Sequence, residues 1–275
     1  MLVSFKEILD IAVEGKFALP AFNVFNMETV MGIIEAAEEA KAPVIIQSYS
    51  RLFTNGEGYY VSPIVLAAAE KASVPICFHL DHGAGIEEVT KALRYGATGI
   101  MIDKSALDFE ENVAETKKIV DMCAAIGVQV EGELGHVGSV NDDSMSDFTD
   151  VDEAKKFIDE TGVAALAILV GTAHGRYKKA PVLDIQRIKD ISEATGTPLV
   201  LHGGSGVPDD QLIAAIDAGI RKINFGTDVC YSFLDKVFET SRDLVAIDLF
   251  MKDAIKNVKE FALSKIKLLG AENKA

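Results

Sequence analysis

The chain reads as an α/β protein, a single (β/α)8 TIM barrel, and three observations predict it. Short apolar runs rich in β-formers alternate with longer segments of helical period, the rhythm of repeated βα units. Runs such as PVIIQ and PLVL are almost continuously apolar, as strands covered on both faces are. The residues able to do chemistry fall at the C-terminal ends of many different runs, where a barrel gathers them into one mouth. An open doubly wound sheet shares the first two features, so the third selects the barrel.

Eight strands are predicted. Residues 18–24 (ALPAFNV) precede METVMGIIEAAEEAKA, whose apolar positions recur at helical spacing, and 43–49 (PVIIQSY) follow it. The third strand, 75–82 (PICFHLDH), leads to GIEEVTKALRYG, with glycine where a helix C-cap belongs. The fourth, 99–104, leads to ENVAETKKIVDMCAAIG, and the fifth covers 128–135. After it GSVNDDSMSDFTD, 138–150, is polar and rich in turn formers, and a mobile loop is expected there. The sixth and seventh strands are 165–171 and 198–202, and DQLIAAIDAGI separates the latter from the eighth, 222–226. No linker-like stretch interrupts residues 1–275, so one domain is expected.

Composition narrows the partners. Forty-two acidic against 27 basic residues give a formal charge of -15, which repels nucleic acid and anionic membranes at long range. The first twenty residues place acids inside their apolar pattern, and no stretch approaches a membrane span, so a cytoplasmic protein is expected. Cys77, Cys123 and Cys230 form no CxxC pair and read as reduced thiols.

Four of the five histidines stand at predicted strand ends: His79 and His82 in HLDHG, His174 in GTAHG and His202 in HGGSG. Any one alone reads as a hydrogen-bonded core or loop residue. Together, His82, His174 and His202 would bring three imidazoles to one rim, the ligand set of an open catalytic zinc site. Alternation puts His79 on the opposite side from His82, which suggests a structural role. Each ligand candidate is followed by glycine, at Gly83, Gly175 and Gly203, and such glycines let backbone approach a bound group or form ordinary βα turns. HGGSG (202–206) and NFGTD (224–228) end strands seven and eight before helices, where barrels commonly seat a phosphate. Asp81 beside His82 is placed to exchange a proton near a metal, or to cap the strand end. Asp103 and Glu133 read as partners of the histidines, as alternative metal ligands, or as half-buried salt-bridge residues.

The ordered motifs HLDHG, MID, ExELGxVG, GxAHGxY, LHGGSGVP and KINxxT resemble the class II, zinc-dependent ketose-bisphosphate aldolases, fructose- and tagatose-bisphosphate aldolases among them, and the similarity runs along the whole chain. The resemblance implies a TIM-barrel lyase, usually a dimer or tetramer, that reversibly cleaves a phosphorylated ketose to dihydroxyacetone phosphate and an aldehyde. It implies Zn2+ on His82, His174 and His202, with Asp81 moving the proton at the substrate's C4 hydroxyl. Matching positions imply that Gly175, Gly203, Ser205, Asn224 and Thr227, with Gly204, Phe225 and Gly226 between them, hold the dihydroxyacetone phosphate end. Asp103 and Glu133 match acidic positions that take a second or displaced metal, and a monovalent cation, Na+ or K+, is expected near the phosphate loops.

The chain departs from the family pattern twice. A loop glutamate that moves the proton at the enediolate carbon is replaced by Asn141, leaving Asp142, Asp143 or His136 as substitutes, because an amide cannot act as a base. Where bisphosphate enzymes carry a PAR stretch for the distal phosphate, the aligned residues are Asp253, Ala254 and Ile255. Arg51, just past strand two, is the cation available to a distal carboxylate, sulfonate or phosphate, although one exposed arginine is also compatible with a solvated surface. The expectation is therefore an aldolase for a ketose 1-phosphate or bisphosphate. The alternatives are an enzyme for a 6-phospho-5-dehydro-2-deoxygluconate-like sugar and a non-catalytic aldolase-like partner subunit. Lys104, beside Asp103, is the nearest rival as a Schiff-base lysine.

Overall fold

Residues 1–140 and 148–275 are described by the computed structural model. Eight parallel strands pair in sequence order: β1 Leu19–Asn23, β2 Val44–Tyr49, β3 Ile76–Gly83, β4 Gly99–Ile102, β5 Gln129–Leu134, β6 Ala165–Ile168, β7 Leu199–Leu201 and β8 Ile220–Phe225. Leu19 to Phe22 of β1 lie in register with Lys222 to Phe225 of β8, which closes the barrel and excludes the open sheet. The helices are α1 Phe5–Gly15, α2 Met27–Ala40, α3 Ser50–Asn55, α4 Gly58–Lys71, α5 Ile86–Arg94, α6 Phe109–Ala124, α7 Val151–Thr161, α8 Ile185–Thr195, α9 Asp209–Ala218, α10 Thr227–Glu239, α11 Ile247–Phe250 and α12 Lys252–Leu268.

Local chemistry sets many of the boundaries. Ser4 and Glu7 form a reciprocal capping box at the start of α1, and Asn26 with Thr29 does the same for α2. Gly162, Gly196 and Gly219 end α7, α8 and α9 as C-caps, whereas Lys41 takes the left-handed cap of α2. α1 lies under the barrel floor, where the buried Phe5 packs against the His79 ring at 4.6 Å between centroids. Among the described residues no helix is long and apolar enough to cross a membrane. The three thiols are free: Cys77 and Cys123 are buried and Cys230 is partly exposed.

Strands four, six and seven are shorter than predicted, ending at Ile102, Ile168 and Leu201. Ladder pairing stops there, and the residues that follow turn over the mouth. His174 accordingly lies in a loop beyond β6, held by a short parallel bridge: its N–H donates to Gly138 at 2.8 Å, and its carbonyl accepts from Val140 at 2.9 Å. The loop expected at 138–150 lies in part outside the described residues, as do Asn141, Asp142 and Asp143.

Candidate active site

Strand β3 carries the chemistry, and its side-chain direction departs from simple alternation. His79 and Asp81 point into the barrel with the expected period of two. The ladder with β4 then shifts register between Leu80 and Gly83, and His82 adopts φ 50°. That left-handed turn swings the His82 ring back over the same interior, so His79 and His82 do not face opposite sides. The His82 ring centroid lies 4.9 Å from that of His174 and 4.6 Å from that of His202.

One ligating nitrogen from each of His82, His174 and His202 lies within 4.8 Å of the other two. His82 Nδ1 meets Asp103 Oδ2 at 2.7 Å, which directs Nε2 to the centre, while His202 Nε2 meets Glu131 Oε1 at 2.9 Å, which directs Nδ1 there. Carboxylates that orient ligating imidazoles in this way are the usual outer layer of a metal site. His82 Nε2 and His202 Nδ1 then face each other at 3.0 Å, a contact that a proton on His82 satisfies and that a shared metal cation would replace. His174 Nε2 and Glu133 Oε2, buried near the same centre, have no hydrogen-bond partner among the described residues. These observations make the residues fit a metal ion. Burial keeps His202 and His174 neutral, with the pKa of His174 lowered to about 4, as ligation requires. For His82 burial opposes the charge, but Asp81, Asp103 and Glu133 outweigh it and raise its pKa to about 10, the local field a bound cation would meet.

Asp81 is almost fully buried beside this centre, its Oδ1 3.9 Å from His82 Nε2. Both of its oxygens accept from amides: Asn23 Nδ2 donates to Oδ2 at 2.8 Å, and Asn224 Nδ2 donates to Oδ1 at 3.2 Å. Gln47 in turn donates to Asn23 Oδ1 at 3.0 Å. Ser105 Oγ lies within 3.0 Å of Asp103, Glu133 and His136, which ties the second acidic pair to the mouth. Ligand atoms of His82, Asp103 and Glu133 also lie within 4.8 Å of one another, a second group that could hold a metal ion. Burial and the Asp103 charge raise the pKa of Glu133 to about 8.

Above these residues opens a cavity of about 470 Å³. Of the predicted substrate residues, Gly175, Gly203, Ser205, Asn224, Gly226 and Thr227 line it, as do Asp81, His82, His174 and Arg51. Phe225 does not: its ring packs away from the mouth, at 5.8 Å from Phe22 and 6.1 Å from Phe261. Gly204 is buried and His202 is fully enclosed beneath the surface. The glycine at 203 answers to the protein itself: with φ 65°, an added Cβ would come within 2.5 Å of the Ala173 carbonyl oxygen. Tyr177 Oη staples the same two turns, accepting from Ala173 N–H at 2.8 Å and reaching the Gly203 carbonyl at 3.0 Å. Across the mouth, the Arg51 guanidinium stacks 5.2 Å from the Tyr49 ring and 5.8 Å from that of Phe25. Ile255 lies on α12 against Gly32 of α2 and does not line the cavity, whereas His136 does. Lys104 donates to the Ala84 carbonyl and is likewise absent from the lining.

A barrel that directs three imidazole nitrogens and an amide-held carboxylate into one mouth defines a candidate metal-dependent enzyme centre. Comparison with known proteins identifies which. The profile of the fructose-bisphosphate aldolase class-II family matches residues 3–274, and the chain belongs to that family of carbon-carbon lyases. A curated Escherichia coli K12 protein, YdjI, is 41% identical over 268 residues, spanning 96% of each chain. The crystal structure of the YdjI aldolase superposes with a TM-score of 0.91 at 38% identity over the full length of both chains. Campylobacter jejuni fructose-bisphosphate aldolase, 21% identical, shares the fold with a TM-score of 0.83 over 100% of this chain and 97% of that one.

Reasoning from the sequence did not identify Asn23, Gln47, Ser105, Glu131 or Lys222 as parts of the site. The signal for Asn23, Gln47, Glu131 and Lys222 was polarity inside strands otherwise apolar, as in FN, IIQ, VE and RKIN, whereas Ser105, in the turn after β4, had none.

Proposed function

We propose that the chain is a zinc-dependent aldolase that reversibly cleaves a ketose 1-phosphate, with an anionic or strongly polar distal group, to dihydroxyacetone phosphate and an aldehyde. The observation that carries this reading is the convergence of His82, His174 and His202 beside an Asp81 held by two amides. Three imidazoles with an open side suit Zn2+, His82 giving up its proton as the metal binds. When bound, zinc supplies Lewis acidity to the substrate carbonyl and to the charge that develops at that oxygen.

Asp81 accepts the proton of the C4 hydroxyl as the carbon-carbon bond breaks and returns it in the reverse direction. Asn23 and Asn224 each donate to one oxygen of its carboxylate and hold it at the cavity. Gly175, Gly203, Ser205, Asn224, Gly226 and Thr227 receive the dihydroxyacetone phosphate end, near the N-terminus of α10, and Na+ or K+ accompanies the anion there. Arg51, already stacked on two rings, serves the distal group, a task to which Ile255 contributes no charge. A cytoplasmic homodimer or homotetramer is part of the same proposal.

A panel of ketose phosphates assayed for release of dihydroxyacetone phosphate, on wild type and Arg51→Ala, tests the assignment. Loss of one charge-assisted pair, worth ~1.5–3 kcal/mol, lowers kcat/KM by about 10- to 150-fold on the preferred anionic substrate. A wild type that prefers fructose 1,6-bisphosphate, with an Arg51→Ala variant unchanged on every substrate, contradicts the distal assignment.

A further inference from the structure

Beneath the mouth, a buried ion pair joins the two halves of the site. Lys222 Nζ lies 2.9 Å from Glu131 Oε2 and donates to Asn224 Oδ1 at 2.8 Å, with both charged side chains fully buried. The other oxygen of Glu131, Oε1, meets His202 Nε2 at 2.9 Å. No charged pair is needed to fill a barrel interior, because apolar residues of similar volume are often as stable or more so. What this pair supplies is direction.

An asparagine amide has two orientations of nearly the same shape. An ammonium group only donates, so Lys222 holds the Asn224 oxygen inward and turns its NH2 toward Asp81. A neutral imidazole likewise has two tautomers. A carboxylate only accepts, so Glu131 selects the form of His202 protonated at Nε2 and leaves Nδ1 bare toward His82. Gln47 performs the matching task for Asn23 on the other side of Asp81.

Resting on the zinc-aldolase reading above, we infer that Lys222 and Glu131 are positioning residues, one buried pair that sets both the ligating nitrogen of His202 and the donor direction of Asn224 over Asp81. Neither touches the cavity, and each acts through a residue that the reaction uses.

The test compares wild type, Glu131→Gln and Lys222→Met by three readouts. These are zinc affinity in competition with a chelator, imidazole 15N NMR of zinc-free protein, and kcat with KM on the ketose phosphate that the wild type cleaves best. In Glu131→Gln the amide oxygen faces Lys222 and its NH2 faces His202, so zinc affinity falls by about 10- to 100-fold and the Nε2–H tautomer signal is lost. In Lys222→Met, kcat at saturating zinc falls by about 10-fold or more while one zinc remains bound per chain. Should Lys222→Met fail to fold with its carboxylate stranded, the isosteric, uncharged double variant Lys222→Met/Glu131→Gln carries the same measurements. Folded variants with unchanged zinc affinity, tautomer and kcat overturn the inference. A wild type that neither binds zinc nor cleaves a ketose phosphate defeats the aldolase reading instead. The tautomer comparison needs neither zinc nor substrate and still decides the positioning role.

Discussion

Asp81 is the side chain on which the proposed proton transfer depends, and its surroundings allow the role to be separated from metal binding. Its closest partners are two amides, and its approach to His82 is 3.9 Å, too long for it to hold the imidazole in place. Asp81→Ala is therefore expected to keep one zinc per chain while cleavage falls by about 100-fold or more. Metal analysis beside steady-state kinetics checks this; loss of zinc in the variant would make Asp81 a ligand or its support. The histidines proposed as ligands were legible in the sequence because each precedes a glycine near the end of a predicted strand, and Asp81 because it precedes His82. Glu131 and Lys222 were not, because a charge inside a parallel strand is explained only by the side chains it meets across the barrel, here His202 and Asn224. His79 was misplaced for a related reason: period-two alternation holds only while the backbone stays extended, and it ends at the left-handed His82.

The turns that follow the strands carry as much of the site as the strands do. The turn after β7 runs so close to the loop holding His174 that Gly203 has no room for a methyl group. Gly203→Ala adds a left-handed cost of ~1–3 kcal/mol to a collision with the Ala173 carbonyl. It is expected to lower the melting temperature by at least about 2 °C and to weaken zinc binding, since Ala173 adjoins His174. Calorimetry with and without zinc checks both; an unchanged melting temperature would mean that the two turns are free to separate. Strand order and the helices between were legible because βα periodicity is local, and α9 begins after Pro208, close to where the sequence places it. The place of His174 was not, because the backbone bridge with residues 138–140 joins segments far apart in the chain.

For the molecule as a whole, the buried interior makes stability depend on acid. Burial, with the Lys222 charge, lowers the His79 pKa to about 3, and among the described residues both of its nitrogens lack hydrogen-bond partners. The unfolded chain protonates this imidazole near its ordinary pKa of ~6.5, whereas the folded chain does so only near 3. Its contribution is thus present above about pH 6.5 and is lost as pH falls toward 3, by up to ~1.4 kcal/mol per pH unit. Zinc-free protein in urea is expected to show falling stability from pH 6.5 to pH 4, with a shallower slope in His79→Gln. Equal slopes in the two proteins would place the acid sensitivity elsewhere.

The central claim is that the three histidines hold a zinc ion required for aldol cleavage. The most direct measurement is dihydroxyacetone phosphate release from the best ketose phosphate before chelation, after exhaustive chelation and after zinc is returned, with metal content determined at each stage. The account predicts one zinc per chain, loss of cleavage with loss of zinc, and recovery of both together. Full activity in metal-free protein, accompanied by a covalent adduct trapped on a lysine by borohydride, would contradict it.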